Sequence, residues 1–214
     1  MKKYFVLVFV IVTTYSYGQG IILPEGYKIL AETTGDLDKD KNPEKVLVVE
    51  TTDSTEMGKI REIRIYKKNK TDWALWHLSR TAIMESDAGG MMGDPFTSVE
   101  IKKGILIISH EGGSSWKWYV TDKYRYQNFE FKQIGYTSGF GRPAGNEWTD
   151  VDMNLSTGKV IYDKKVTHWE DDKEIIDKHE RETLYKKDLF ITLETKNVKT
   201  FTFESPKYGY SINL

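Results

Sequence analysis

Apolar and polar residues alternate with a period of two along most of this chain, and that period is typical of β-strands with one buried face. Clusters of glycine, asparagine, aspartate and serine interrupt the alternation, which indicates tight turns between the strands. We expect hairpin turns at 103–104, 127–128 and 171–172, where residues that tolerate positive φ angles separate two strands. The pattern predicts strands at 27–32, 60–68, 72–78, 98–102, 116–126, 129–137, 149–155, 160–169, 191–194 and 200–204.

Two runs are apolar at consecutive positions, 46–49 (VLVV) and 105–108 (ILII). A strand with one face in water would alternate, so both runs are predicted to be covered on both faces and to lie away from the sheet edges. Residues 149–155 do alternate. This strand is predicted to bury its apolar side chains and to expose the others, with Val151, Met153 and Leu155 inside and Asp150, Asp152 and Asn154 outside.

Residues 173–185 fit two interpretations, because Ile175, Ile176, His179 and Leu184 would also share one face of a helix. Apart from that segment and the N-terminus, little helix is expected. The predicted fold class is all-β, a single domain of antiparallel sheet or sheets in a meander, a sandwich or a partial propeller-like arrangement. An acidic loop described below occurs only once, which argues against a complete propeller.

The first 18 residues have the three regions of a secretory signal peptide. A lysine pair precedes an apolar stretch at 4–12, and Ser16 and Gly18 are small residues at the −3 and −1 positions before Gln19. The apolar stretch is too short for a stable membrane span. We therefore expect cleavage after residue 18, no membrane anchor afterwards, and a periplasmic or secreted protein formed by residues 19–214.

The amino-acid composition excludes several classes of protein and of binding site. The chain of 214 residues carries a formal net charge of −1, so no charge excess attracts it to nucleic acid or to an anionic membrane. It contains no cysteine, which excludes disulfides and a lipid anchor on cysteine. The four histidines show no zinc-binding spacing. Aromatic residues make up 13% of the chain, which is too many for a disordered protein.

The stretch 35–50, GDLDKDKNPEKVLVVE, places an acidic loop directly before the first apolar run. Oxygen atoms two residues apart can converge on one hard cation, and calcium takes about six to eight such ligands. The loop is not an EF-hand, because Lys41 stands where that loop needs glycine and a strand follows instead of a helix. A solvated turn without metal is the alternative. The predicted metal ligands are Asp36, Asp38, Asp40, the carbonyl of Asn42, and Glu44.

This loop resembles the calcium loop of integrin-type FG-GAP repeats, in which Asp-x-Asp-x-Asp-Gly-x-x-Asp leads into a strand. Asp36, Asp38 and Asp40 match that motif, whereas Lys41 replaces its glycine and Glu44 replaces its final aspartate. The resemblance implies calcium as the bound ion.

Four longer segments carry a second resemblance: GDPF at 93–96, HEGGSSWKW at 110–118, RYQNFEFKQIGY at 125–136 and NLSTGK at 154–159. Together with the acidic loop they resemble a family of exported bacterial proteins of uncharacterised function. The resemblance implies a Gram-negative periplasmic or secreted setting, and it assigns no catalytic residue.

Three other patterns suggest binding or catalysis. Trp116 and Trp118 share one face of a predicted strand, and such a row of rings either stacks on sugars or packs into the core. His110 followed by Ser114 and Ser115 has the residue types of a hydrolase base and nucleophile, although no G-x-S-x-G elbow is present and a Gly-Gly turn explains the segment more simply. Residues 139–144 match G-x-G-x-x-A, but no helix pattern follows, so we expect a surface loop there.

The leading hypothesis is an exported, non-catalytic β module that is stabilised by calcium and binds an unknown protein or glycan partner at the envelope or outside the cell. The first alternative is a carbohydrate-binding protein that uses Trp116 and Trp118. The second is a hydrolase that uses His110 with Ser114 or Ser115.

Overall fold

Within each sheet of this chain, strands that follow one another in sequence pair in an antiparallel meander. The computed structural model describes residues 20–70, 72–143, 146–198 and 200–214. The predicted signal peptide lies outside the described residues. A 3-10 turn lies at Gly90–Met92. The strands are β1 (Lys28–Gly35), β2 (Glu44–Thr55), β3 (Gly58–Asn69), β4 (Asp72–Ser79), β5 (Phe96–Lys102), β6 (Ile105–Gly113), β7 (Lys117–Gln127), β8 (Glu130–Arg142), β9 (Glu147–Asn154), β10 (Lys159–Glu170), β11 (Lys173–Tyr185), β12 (Thr202–Glu204) and β13 (Ser211–Asn213).

The strands form two large sheets and one small one. β1 to β4 make a four-stranded sheet, β5 to β11 make a seven-stranded sheet in chain order, and β12 pairs with β13. The all-β, single-domain prediction is therefore confirmed. In the described part of the chain, no helix is long and apolar enough to cross a membrane.

Two of the three predicted hairpin turns are confirmed, because residues 103–104 and 171–172 have positive φ angles between paired strands. The third turn was predicted one residue too early. Asn128 (φ 53°) and Phe129 (φ 66°) are the two turn residues, and Gln127 still pairs with Glu130. Strand pairing forces a positive φ angle on Phe129, and phenylalanine is not a residue type that predicts such an angle.

The main core lies between the two large sheets. Val46, Val48 and Ile63 from the four-stranded sheet pack in one cluster with Leu106 and Ile108 from the seven-stranded sheet. All five side chains have 0% solvent exposure. The two sheets therefore bury their inner faces against each other, which is the usual solution for antiparallel sheets that are apolar on one face.

The run 46–49 is covered on both faces and lies between β1 and β3, so that prediction is confirmed. Val46 and Val48 point into the main core, whereas Leu47 and Val49 form a second cluster with Tyr66. Ile21, Leu23 and Tyr27 of the segment before β1 pack on this second cluster. The start of the described chain thus covers the outer face of the four-stranded sheet.

The prediction for the run 105–108 is only half right. β6 lies between β5 and β7, away from the sheet edge, and Leu106 and Ile108 are buried. Ile105 and Ile107 are only half-buried, so the outer face of β6 lacks the predicted cover. Burial on that side depends on distant chain segments, and the apolar run does not show whether such a segment packs against it.

Most of the other sequence predictions hold. β9 buries Val151 and Met153 and exposes Asp152 and Asn154, whereas Leu155 and Asp150 are half-buried. Residues 173–185 form strand β11 and not a helix. The strand predicted at 191–194 is wrong, because only Thr192 makes a β-bridge before the chain turns. The surface loop predicted at 139–144 is also wrong as far as Arg142, where β8 ends.

The loop between β4 and β5 is fixed to the core by a buried arginine. The guanidinium of Arg61 on β3 makes two hydrogen bonds to the Asp94 carboxylate, at 2.5 and 2.6 Å, and a third to Glu50 at 3.3 Å. Asp94 also accepts a hydrogen bond from the backbone N–H of Phe96. The GDPF segment therefore connects the loop to the four-stranded sheet through a bidentate ion pair.

Candidate functional site

The acidic loop links β1 to β2 and folds back on itself through carboxylate–backbone hydrogen bonds. The N–H groups of Asp40, Lys41 and Asn42 donate to Asp38, Asp36 and Asp40 respectively, at 2.7 to 3.3 Å. Lys39 (φ 68°) and Lys41 (φ 71°) adopt left-handed backbone angles. Lys41 thus has the conformation for which calcium loops use glycine at this position.

The loop brings three of the predicted ligands together. One carboxylate oxygen from each of Asp36, Asp38 and Asp40 lies within 4.8 Å of the other two, so these residues could hold a metal ion. Asp36 Oδ1 is buried and has no hydrogen-bond partner among the described residues. An unpaired buried carboxylate oxygen is costly, and a cation would remove that cost.

The other two predicted ligands are placed differently. Glu44 is 1% exposed, and its Oε2 accepts a hydrogen bond from the N–H of Leu37 at 2.7 Å. Burial raises the pKa of Glu44 above its ordinary value. Asn42 contributes its backbone N–H to Asp40, and this hydrogen bond is the main cause of the lowered Asp40 pKa.

Lys67 on β3 belongs to this site, and the sequence analysis missed it. Its ammonium group contacts Asp38 directly and lies 3.3 Å from Asp40 Oδ2 and 3.9 Å from Glu44 Oε1. The same nitrogen lies 4.6 Å from the ring centroid of Trp76. Lys67 thus neutralises part of the cluster's negative charge, whereas Asp36 makes no ion pair with it among the contacts of the described residues. No sequence signal joins a lysine on β3 to this loop, because strand pairing alone brings them together.

A second candidate site is an aromatic groove of about 230 Å³ between the seven-stranded sheet and the β12–β13 hairpin. Its walls include the rings of Trp118, Tyr136, Phe140 and Tyr210, and Ser138 and Asn213 add polar groups. We call this surface the aromatic groove.

Trp116 lies beside the aromatic groove. Its ring stacks on that of Phe140, with centroids 5.1 Å apart and planes inclined by 18°. Both rings are exposed, Trp116 to 38% and Phe140 to 45%. Trp118 is half-buried and packs over Gly112, where an added Cβ atom would meet the indole at 2.5 Å. Trp116 lies just before β7, so the prediction that it shares a strand face with Trp118 is wrong, and the two rings instead belong to a partly exposed aromatic surface.

The predicted hydrolase residues differ in burial, since the histidine is buried and the serines are exposed. His110 is 2% exposed, and its Nε2 accepts a hydrogen bond from the backbone N–H of Met84 at 3.3 Å. Ser114 and Ser115 lie in the exposed turn between β6 and β7. Within the described residues, no hydrogen bond joins His110 to either hydroxyl, so the contact between base and nucleophile that catalysis needs is not formed.

The acidic residues of β9 are held by neighbouring side chains. Asp150 Oδ1 accepts hydrogen bonds from the Tyr119 hydroxyl at 2.8 Å and from the Trp148 indole at 2.9 Å. Burial, and after it the hydrogen bond to Asp150, raises the pKa of Tyr119 to about 12. Asp152 accepts a hydrogen bond from Thr137. These contacts give both carboxylates a structural role on the outer face of the sheet.

Comparison with known proteins finds no matching family model, no similar curated protein and no similar solved structure. The two resemblances described above therefore rest on the quoted sequence motifs alone.

Proposed function

We propose that this protein is an exported, non-catalytic binding module whose acidic loop is stabilised by calcium. The observation that supports the metal is the convergence of Asp36, Asp38 and Asp40 around a buried carboxylate oxygen that has no partner in the described chain. All the ligands are oxygen atoms, which favours a hard cation, and the irregular loop suits the flexible coordination of calcium better than the strict octahedron of magnesium.

Calcium would act on stability because the loop leads directly into β2, the strand that is buried on both faces. An ion that binds only the folded loop stabilises the whole domain by mass action, by about 2.7 kcal/mol when its concentration is a hundred times Kd. Lys67 competes for the same oxygens, so calcium binding requires its ammonium group to move away from Asp38.

The test is a calcium titration of chelator-treated protein, followed by the melting temperature and by calorimetry. Calcium should raise the melting temperature of the wild type, and Asp38→Asn should abolish the rise. Asp53→Asn is the matched control, because Asp53 is an exposed carboxylate that pairs with exposed Arg80 on another part of the surface.

Lys67→Met makes the test sharper. Without the competing ammonium group, the variant should bind calcium more tightly than the wild type while it loses stability in the absence of metal. If calcium changes neither the wild type nor Lys67→Met, the acidic loop does not bind calcium and the metal proposal is wrong.

A second candidate function is carbohydrate binding in the aromatic groove. It is supported by the exposed stack of Trp116 on Phe140 beside a groove that combines rings with hydroxyl and amide groups. Sugar sites use this combination, because rings cover the apolar face of a pyranose while polar groups receive its hydroxyls.

A glycan array, followed by tryptophan fluorescence titration of any hit, tests this function. Phe140→Ala should weaken binding about tenfold, the loss of a typical interface anchor. Trp169→Ala is the control, because Trp169 is 64% exposed and does not line the groove. Equal loss of affinity in both variants, or no binding to any glycan, would contradict carbohydrate recognition.

A further inference from the structure

A lysine and an aspartate face each other inside the core of this protein. Lys196 is 4% exposed and Asp122 is 1% exposed. The Lys196 Nζ atom lies 3.0 Å from Asp122 Oδ1, and the carboxyl carbon is one bond beyond that oxygen. Two opposite charges this deeply buried rarely stabilise a fold more than apolar side chains would, so the pair calls for another explanation.

The backbone on both sides of the pair is fixed. Asp122 lies in β7, where it pairs with Ile108 of β6 and Tyr136 of β8. Lys196 follows a segment that is hydrogen-bonded to β8, through the N–H of Gln133 to Ile191 and the N–H of Leu193 to Phe131. Both side chains therefore extend from backbone that is already ordered, which keeps the two groups close without further loss of freedom.

The Gln133 amide and the Tyr136 ring lie beside the pair. The Gln133 side-chain amide donates to Asp122 Oδ1 at 2.5 Å, and the Tyr136 ring centroid lies 5.0 Å from Lys196 Nζ. Burial raises the pKa of Asp122 and so favours its uncharged acid form.

We propose that Lys196 Nζ and Asp122 Cγ form an intramolecular amide (isopeptide) bond after the chain has folded. A proton passes from the ammonium group to the carboxylate, and the freed nitrogen lone pair attacks Cγ. The Cγ–Oδ2 bond then breaks, and Oδ2 leaves with two protons as water, which balances the three hydrogens of the ammonium group against the one left on the amide. Oδ1 remains as the amide oxygen, and the Gln133 donor stabilises the negative charge that develops on it.

The bond would have two structural effects. It would replace two buried charges by one neutral amide, which removes most of the cost of burying ions. It would also join β7 to the C-terminal segment, as a disulfide would, in a chain that contains no cysteine. The inference is independent of calcium and of any ligand of the aromatic groove.

Intact mass spectrometry of the purified, denatured protein is the decisive experiment. The wild type should be lighter than its sequence mass by one water molecule. A tryptic digest should contain a branched peptide that joins residues 118–123 to 188–199, because the modified Lys196 resists cleavage. Folded wild type with the full sequence mass and a free 118–123 peptide would overturn the proposal.

Variants separate the bond from an ordinary ion pair. Lys196→Arg keeps a cation beside Asp122 but should retain its full mass, and circular dichroism checks that it folds. Asp122→Asn should yield the same branched product by losing ammonia in place of water. Gln133→Leu should leave a mixture that converts more slowly. A mass deficit that persists in Lys196→Arg would show that the lost water comes from another site.

Discussion

At the scale of single residues, His110 shows how burial determines chemistry in this molecule. Its ring lies in the core with Nε2 bonded to the backbone of Met84, and its Nδ1 has no hydrogen-bond partner in the described chain. Burial, the largest cause, together with the nearby positive charge of Arg61, lowers the pKa of His110 to about 4. The carboxylate of Asp94 opposes that shift only weakly. His110 is therefore neutral in the folded protein at neutral pH.

This lowered pKa predicts a loss of stability in mild acid. The unfolded chain protonates His110 near pH 6.5, whereas the folded chain resists protonation until about pH 4, so the unfolded state binds more protons between these values. The free energy of unfolding should fall across this window by about 3 kcal/mol, the equivalent of the shift. Urea unfolding at pH values about one unit apart, from about pH 7 to about pH 4, measures the loss.

His110→Gln provides the reference, since it removes the titrating ring and leaves every other group in place. Its free energy of unfolding should depend less on pH than that of the wild type. Parallel curves for the two proteins would mean that His110 does not titrate as its burial requires.

At the scale of elements, the segment before β1 illustrates how a strand becomes buried on both faces. Ile21 and Leu23 pack on Leu47 and Val49 of β2, whereas Ile22, which lies between them, is 86% exposed. The segment has no regular secondary structure, yet it covers the second face of β2 at Leu47 and Val49. The segment, in which burial alternates between Ile21, Ile22 and Leu23, therefore acts through packing and not through hydrogen bonding.

Replacing a covered residue should cost far more than replacing its exposed neighbour. Leu23→Asp should lower the free energy of unfolding by about 2 kcal/mol, because it removes apolar contact and places a charge against Val49. Ile22→Asp should change it by less than about 0.5 kcal/mol, as surface substitutions usually do. Chemical denaturation of both variants tests the comparison, and equal effects would show that the segment does not cover the sheet.

The outermost strand of the seven-stranded sheet has an open edge that is protected by its own residues. Among the described strands, β11 pairs only with β10, and most of its side chains are exposed. Its sequence KEIIDKHERETLY alternates charges of both signs, and a β-bulge interrupts its pairing near Val166. Charged side chains and bulges discourage other chains from adding to an open edge.

At the scale of the whole molecule, the shared core makes the two large sheets one unit. Ile63 of the first sheet and Leu106 of the second are fully buried in the same cluster, so neither sheet can unfold without exposing the inner face of the other. This arrangement predicts one cooperative unfolding transition for the domain.

Core substitutions in either sheet should act on that single transition. Leu106→Ala should lower the free energy of unfolding by about 3 kcal/mol, and Ile63→Ala by a similar amount, without splitting the transition. Ile107→Ala is the matched control on the same strand, and it should cost less, because Ile107 is only half-buried on the outer face. Circular dichroism and tryptophan fluorescence should give coincident curves, whereas separate midpoints would show that the sheets unfold independently.

Much of this fold could be predicted from the sequence because local rules carry the information. The period-two alternation determines which strands form, and turn pairs such as Lys103–Gly104 determine where they reverse. The run 46–49 likewise showed that β2 is central. The acidic loop was recognisable for the same reason, since its three convergent aspartates are only two residues apart.

Other features depend on contacts between residues far apart in the chain, and only the tertiary structure decided them. Lys67 meets Asp38, Arg61 meets Asp94 and Lys196 meets Asp122 across distances that no local pattern encodes. The incomplete burial of Ile107 and the turn at 191–194 could not be predicted for the same reason. Burial and strand pairing depend on which distant segment of the chain packs against these residues. The sequence by itself therefore determined the strands, the turns and the acidic loop, whereas the three-dimensional packing determined which charges meet and where they are buried.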